Sequence, residues 1–173
     1  GSSEGAVSLW DWRAETELKR PWTAHRPVPE ASGAMQAMAF SPVGWTLATA
    51  GGDRTLRLWG AGRQPAFSNH TEAVSCAAFS PDGSTVAFSA EYAGPTEVYT
   101  MPAGGGVPHR CTYDGNARVI GWTKGGKILY STTRYSTLPN PQLLLFDPAT
   151  STSSVVPLAQ ASDGSYAGDT LFF

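Results

Sequence analysis

Apolar residues recur in short runs separated by Gly, Pro, Asp and Ser, the pattern of strands and turns and not of helices. No ten-residue segment keeps a 3.6-residue apolar period free of Gly, Pro or β-branched clusters, so the chain reads as all-β. The string Ala39-Phe40-Ser41-Pro42-Val43-Gly44 returns as Ala78-Phe79-Ser80-Pro81-Asp82-Gly83, as Gly121-Trp122-Thr123-Lys124-Gly125-Gly126, and faintly as Ser165-Tyr166-Ala167-Gly168-Asp169. Its aromatic positions step by 39, 43 and 44 residues. Each copy predicts a strand, a tight turn and a second strand, over 45–50, 84–90, 127–132 and 170–173. A third strand ending in an aromatic follows at Leu56-Arg57-Leu58-Trp59, Glu97-Val98-Tyr99 and Leu143-Leu144-Leu145-Phe146, with an early copy at Val7-Ser8-Leu9-Trp10.

A repeat of about 40–45 residues that carries four strands is the signature of a β-propeller blade. With strands lettered a to d from the inside of a blade outward, the chain opens on a c–d pair, continues through three full blades and closes on an a–b pair. The predicted fold is therefore an all-β propeller of four-stranded antiparallel blades, four blade-equivalents per chain, one of them split between the two ends. The predicted divisions are 6–33 for the c–d half and its loop, 34–72, 73–115 and 116–160 for the full blades, and 161–173 for the a–b half, in which Leu171, Phe172 and Phe173 would line an unpaired edge. Two chains exchanging their halves would form a homodimer with an eight-bladed ring, and that arrangement is favoured over a steeply closed four-bladed ring.

Composition narrows the function. The 173 residues are 41% hydrophobic and 15% charged with 19 aromatics, which fits a domain with a packed core and argues against disorder. Residues up to Val86 hold 7 basic and 8 acidic side chains and the remainder 5 and 6, so each half carries -1 and no basic footprint for nucleic acid or a membrane surface exists. Apolar runs such as 143–146 are far short of the roughly 18 residues that span a bilayer. Residues 1–5 read as a tag remnant, and Cys76 and Cys111 as two reduced, partly buried thiols in a protein of cytoplasmic type.

Two resemblances lie side by side. The segment 34–86, with Ala39-Phe40-Ser41-Pro42 and then Leu47-Ala48-Thr49-Ala50-Gly51-Gly52-Asp53 running on to Leu56-Arg57-Leu58-Trp59, resembles WD-repeat propellers. That likeness implies a structural hydrogen-bond tetrad of His25, Thr49, Asp53 and Trp59, with Asp53 accepting from the imidazole and Trp59 donating to the Thr hydroxyl. Val43 and Gly60 depart from the family pattern, and the next blade has His70 and Ser89 but Tyr99 in place of Trp, so its tetrad is broken. From about residue 87 the chain resembles the six-bladed propeller of tricorn proteases, on Ala87-Phe88-Ser89-Ala90-Glu91-Tyr92, Glu97-Val98-Tyr99-Thr100-Met101-Pro102, Cys111-Thr112-Tyr113-Asp114-Gly115 and Arg134-Tyr135-Ser136-Thr137-Leu138-Pro139-Asn140. There the resemblance implies peptide handling, while catalysis in that family belongs to separate C-terminal domains that nothing here matches. Phe79-Ser80-Pro81-Asp82-Gly83-Ser84-Thr85 is common to both patterns and would serve as a crossover, so the chain reads as an engineered or recombined chimera.

Catalytic, metal and cofactor chemistry finds no sequence support. His25, His70 and His109 lack neighbours at ligand spacing, no Gly-x-Ser-x-Gly elbow accompanies the serines, and Gly104-Gly105-Gly106 precedes no helix that could cradle a phosphate. The loops 25–33, 91–95 and 134–141 are predicted to project from the rim, where Tyr92, Arg134 and Tyr135 are candidate recognition residues. The expected function is that of a non-enzymatic structural protein that self-assembles by strand exchange, without cofactors. The alternative is a peptide- or protein-binding module.

Overall fold

A computed structural model describes residues 5–27, 34–60, 66–67, 73–92, 94–135, 141–157, 165–167 and 170–172, with side chains left undescribed at 19–20, 66–67, 165–167 and 170–172. Those residues form sixteen strands and no helix. An opening hairpin, β1 (Ala6–Asp11) and β2 (Thr16–Thr23), forms a two-stranded sheet. Three four-stranded antiparallel sheets follow, each in simple up-and-down order. The first holds β3 (Met35–Phe40), β4 (Leu47–Gly51), β5 (Leu56–Trp59) and β6 (Ala66–Phe67). The second holds β7 (Cys76–Phe79), β8 (Thr85–Ala90), β9 (Glu97–Pro102) and β10 (His109–Arg110), and the third β11 (Arg118–Trp122), β12 (Ile128–Thr132), β13 (Gln142–Asp147) and β14 (Thr152–Val155). A closing hairpin, β15 (Ser165–Ala167) and β16 (Thr170–Phe172), pairs Ser165 with Phe172 and Ala167 with Thr170. Meander sheets of this kind, stacked side by side, are the blades of a β-propeller.

The core lies between blades because the second strand of each, β4, β8 and β12, is buried on both faces. Ala48, Ala50, Leu56 and Leu58 of the first blade meet Val86, Phe88, Ala90 and Met101 of the second in one cluster. Ala87 and Val98, on the other face of that second blade, meet Ile128, Tyr130, Leu144 and Phe146 of the third. The period of two along β8 thus sends alternate side chains to opposite neighbours. A smaller cluster of Val7, Ala24 and Leu47, flanked by Trp22 and Trp59, seats the opening hairpin on the first blade. Trp22 and Trp59 meet edge to face with ring centroids 5.5 Å apart, a favoured aromatic geometry.

The a–b turns also interlock. Gly83 has φ +68, and a Cβ there would collide with the Val43 side chain of the neighbouring turn. The glycine therefore serves both the turn and the approach of two blades. Gly104-Gly105-Gly106 lies in the turn between β9 and β10, closed by the Gly105 N–H donating to the Pro102 carbonyl at 2.9 Å.

Among the described residues the two hairpins at the ends remain separate two-stranded sheets, with β15 beside β11. The side chain of Leu171, predicted to line an exposed edge, falls outside the described residues, as do those of Phe172 and Phe173. No helix among the described residues is long and apolar enough to cross a membrane.

Candidate functional site

Loops between strands d and a, and between b and c, emerge at the same end of the blades, and two polar assemblies form there. The first joins the opening hairpin to the first blade. His25, in the loop after β2, places Nδ1 2.7 Å from Asp53 Oδ1 and Nε2 2.9 Å from Thr49 Oγ1, while the Trp59 indole N–H donates to that Oγ1 at 2.9 Å. The directions follow from the chemistry of each group. Because Trp59 can only donate, Thr49 turns its own O–H toward His25 Nε2, and the imidazole donates from Nδ1 to the carboxylate.

Asp53 accepts further hydrogen bonds from the Thr55 hydroxyl at 2.7 Å and the Arg26 N–H at 3.3 Å. Burial pushes its carboxyl up, but the hydrogen bonds from Thr55, His25 and the Arg26 N–H outweigh that, leaving it below the ordinary value of 3.8. His25 and Thr49 are fully buried, and Gly51 has no Cβ because the His25 ring lies directly against its backbone. The chain Asp53–His25–Thr49 has the order of a catalytic triad. Its hydroxyl, however, is sealed in and already engaged by Trp59, so no substrate carbonyl can reach it.

The second assembly is built around Glu97 and had no signal in the sequence beyond the motif Cys111-Thr112-Tyr113-Asp114-Gly115. Glu97, at the start of β9, is 1% exposed. Its Oε2 accepts from the Thr112 hydroxyl at 2.5 Å and the Asp114 N–H at 3.1 Å, and its Oε1 from the Gly115 N–H at 2.8 Å and the Arg110 guanidinium at 3.0 Å. A buried carboxylate with four donors is compensated for its lost hydration. The loop it holds then presents Asp114 to the third blade, where Tyr130 donates to Oδ2 at 2.7 Å and Arg134 and Tyr135 approach Oδ1 at 3.2 Å. Arg134 also donates to the Tyr113 carbonyl. Burial holds the Tyr130 hydroxyl well above the ordinary phenol range, with the Asp114 carboxylate adding to it.

Of the predicted rim residues, Arg134 and Tyr135 are exposed on this loop cluster beside Tyr113, whose ring carries the Arg110 guanidinium 4.2 Å from its centroid. Tyr92 does not project as predicted. It turns inward against the core shared by the first two blades and meets Tyr99 edge to face at 4.7 Å, because the apolar ring gains more from that contact than from water. Burial raises its hydroxyl to about 12. In the second blade, Ser89 Oγ accepts from the Val119 N–H at 2.7 Å and Tyr99 stacks on Phe88, while His70 lies outside the described residues.

At the opposite end, the a–b turns of the second and third blades flank a cleft of about 550 Å³ lined by Asp82, Trp122 and Lys124. Cys76 and Cys111 are free thiols, and among the described residues no three His, Cys, Asp or Glu side chains are grouped to hold a metal ion.

The sequence matches the Tricorn protease N-terminal beta propeller domain over residues 47–173, well over half of the chain. The chain belongs to that family. The WD domain, G-beta repeat, matches residues 18–60, which contain the whole His25 assembly. The two matches overlap at 47–60, so the Tricorn-type pattern begins ahead of residue 87 and the WD-type match ends ahead of residue 86. No curated protein sequence matches the chain. Among solved structures, TolB from Acinetobacter baumannii aligns with a TM-score of 0.61 and 19% identity over 87% of this chain and 38% of that one. A TolB-type structure from Agrobacterium tumefaciens aligns with a TM-score of 0.67 and 20% identity over 96% of this chain and 59% of that one. This Tricorn-type chain thus shares the fold of both and spans less than two thirds of the length of either.

Proposed function

We propose that this Tricorn-type chain is a non-catalytic composite propeller, recombined or engineered from WD-repeat and Tricorn-type segments, that assembles by exchanging strands with a second copy. The observation that carries the reading is the pair of two-stranded sheets, β1–β2 and β15–β16, which among the described residues do not pair with each other and which match the c–d and a–b halves expected of one blade. In the exchange, β16 of one chain pairs with β1 of the other to give the order β15–β16–β1–β2 twice, in an eight-bladed ring. Unpaired strand edges are templates for such addition, and a symmetric swap satisfies both at once. The overlap of two family patterns within 47–60 supports the composite origin. The burial of the Asp53–His25–Thr49 chain supports a structural, non-catalytic role for its triad-like order.

Absolute mass by light scattering after size exclusion, over a tenfold range of protein concentration, tests the assembly. Twice the chain mass is expected. A single-chain mass throughout would overturn strand exchange.

A second reading, recognition of a peptide or protein at the rim, is favoured by the exposed cluster of Tyr113, Arg134 and Tyr135. Aromatic and Arg side chains of this kind dominate binding hot spots. Replacing Arg134 and Tyr135 together should abolish any peptide binding found in a screen, and unchanged binding would remove the rim from consideration.

A further inference from the structure

One repeat position behaves differently in the three complete blades. Phe40, Phe79 and Trp122 end the a strands β3, β7 and β11 at equivalent places. Phe79 is 8% exposed and packs in the cluster that contains Ala48, Ala50, Leu56 and Leu58 of the blade before it. Trp122 packs in the next cluster and donates its indole N–H to the Ala78 carbonyl, again in the blade before it, at 3.0 Å. The aromatic at this position therefore turns back onto the inner strands of the preceding blade. Phe40 has the same address and no such neighbour, being 58% exposed.

The reason lies in what precedes the first blade. Along β3, Ala37 and Ala39 face the cluster shared with the second blade, whereas Gln36, Met38 and Phe40 alternate onto the opposite, exposed face. The opening hairpin covers the outer strands and the start of β3, where its Val7 and Trp22 meet Leu47, Trp59 and Met35, and leaves the rest of the inner part bare at Met38 and Phe40. An a–b hairpin is what the inner part lacks. Within the chain, β15–β16 is the a–b hairpin without c and d partners, and it carries Tyr166, Leu171 and Phe172.

We infer that the face of β3 bearing Met38 and Phe40 is the seat for the β15–β16 hairpin of a second copy of this chain. The inference rests on the strand-exchange reading and adds the contact surface to it. One placement meets two independent demands, because a hairpin lying over Phe40 in the a–b position also brings its outer strand to the open edge of β1. In the single chain β15 lies beside β11 and, among the described residues, neither strand of its hairpin joins β1 or β2 in a sheet, which leaves this seat open to a second copy. The surface left uncovered is apolar, which is the kind that association removes from water.

A photo-crosslinking phenylalanine analogue at position 40 tests the seat in the full chain. Nitrogen-15-labelled and unlabelled chains are mixed, irradiated and mapped by mass spectrometry. Crosslinks between position 40 of one isotope and residues 165–172 of the other are expected. Crosslinks confined to one isotope, or landing on another segment, overturn the seat. In parallel, Phe40→Ser should weaken the dimer about tenfold or more, the scale set by burying an aromatic side chain, with an unchanged far-ultraviolet spectrum. A dimer of undiminished affinity in Phe40→Ser, or a dimer of the analogue-bearing chain that gives no such crosslink, sinks this seat and leaves strand exchange standing. A wild-type chain of single mass sinks both.

Discussion

His25 and Asp53 are 28 residues apart in the chain and 2.7 Å apart in space, and through that contact the loop after β2 is anchored to the turn between β4 and β5. The pair matters because it is buried, so each partner depends on the other for the hydrogen bonding that water no longer supplies. Asp53→Ala strands the His25 Nδ1–H, the Thr55 hydroxyl and the Arg26 N–H, and should lower stability by about 1–3 kcal/mol. Urea denaturation at neutral pH measures it, and an unchanged midpoint would refute a bonded tetrad.

Acid should expose the same group. The Asp53 carboxyl lies below 3.8 in the folded chain, so the unfolded chain binds its proton first on acidification. The stability it contributes is fully present above about pH 4 and is lost as pH falls through the folded value. Wild-type melting temperature should therefore drop more steeply below pH 4 than that of Asp53→Ala. Parallel curves would show that the depressed carboxyl is not Asp53.

Gly51 supplies an independent route to the same seam. A methyl group there meets the His25 ring, so Gly51→Ala should push the imidazole out of line and cost about as much as losing a buried hydrogen-bonded pair, about 1–3 kcal/mol. Gly121→Ala, with nothing near its position, serves as the control and should change little. Equal melting temperatures for the two variants would contradict the close approach.

The Glu97 cage predicts a local effect beyond the global one. Glu97→Ala leaves the Asp114 and Gly115 N–H groups and the Thr112 hydroxyl without their acceptor, at a cost of about 2–4 kcal/mol. Hydrogen exchange should quicken first at the amides of 114 and 115, ahead of β12 and β13. Uniform acceleration over the third blade would mean that the cage does not act as a separate joint.

Alkaline titration should separate the tyrosines. Burial raises Tyr92 to about 12 from an ordinary 10.0. The folded state therefore keeps the proton longer than the unfolded state does, and this contribution to stability is intact below pH 10 and lost as pH rises through about 12. Absorbance of ionised phenol should show a late phase that Tyr92→Phe diminishes. A single phase near pH 10 would place Tyr92 in water.

Much of this fold could be read along the chain, because strand, turn and repeat are properties of neighbouring residues. The spacing of Phe40, Phe79 and Trp122 marks the blades, and the strands β4, β8 and β12 begin within a residue or two of where the turns place them. His25, Thr49, Asp53 and Trp59 could be named in advance only through the likeness to WD-repeat propellers, whose pattern three of them fit within β4, β5 and their turn while His25 comes from outside. Other features needed the blades to be stacked. Glu97 is an ordinary strand residue until the loop 112–115 folds over it, and Tyr92 is a rim aromatic until the core of two blades offers it a better surface than water. Phe40 and Phe79 share a motif and differ only in what stands before them, so burial of the one and exposure of the other are decided by the neighbouring blade. Local sequence determined which residues form strands and turns. Only tertiary structure decided which polar groups find partners and which apolar faces still lack them, because both depend on segments brought together from far along the chain.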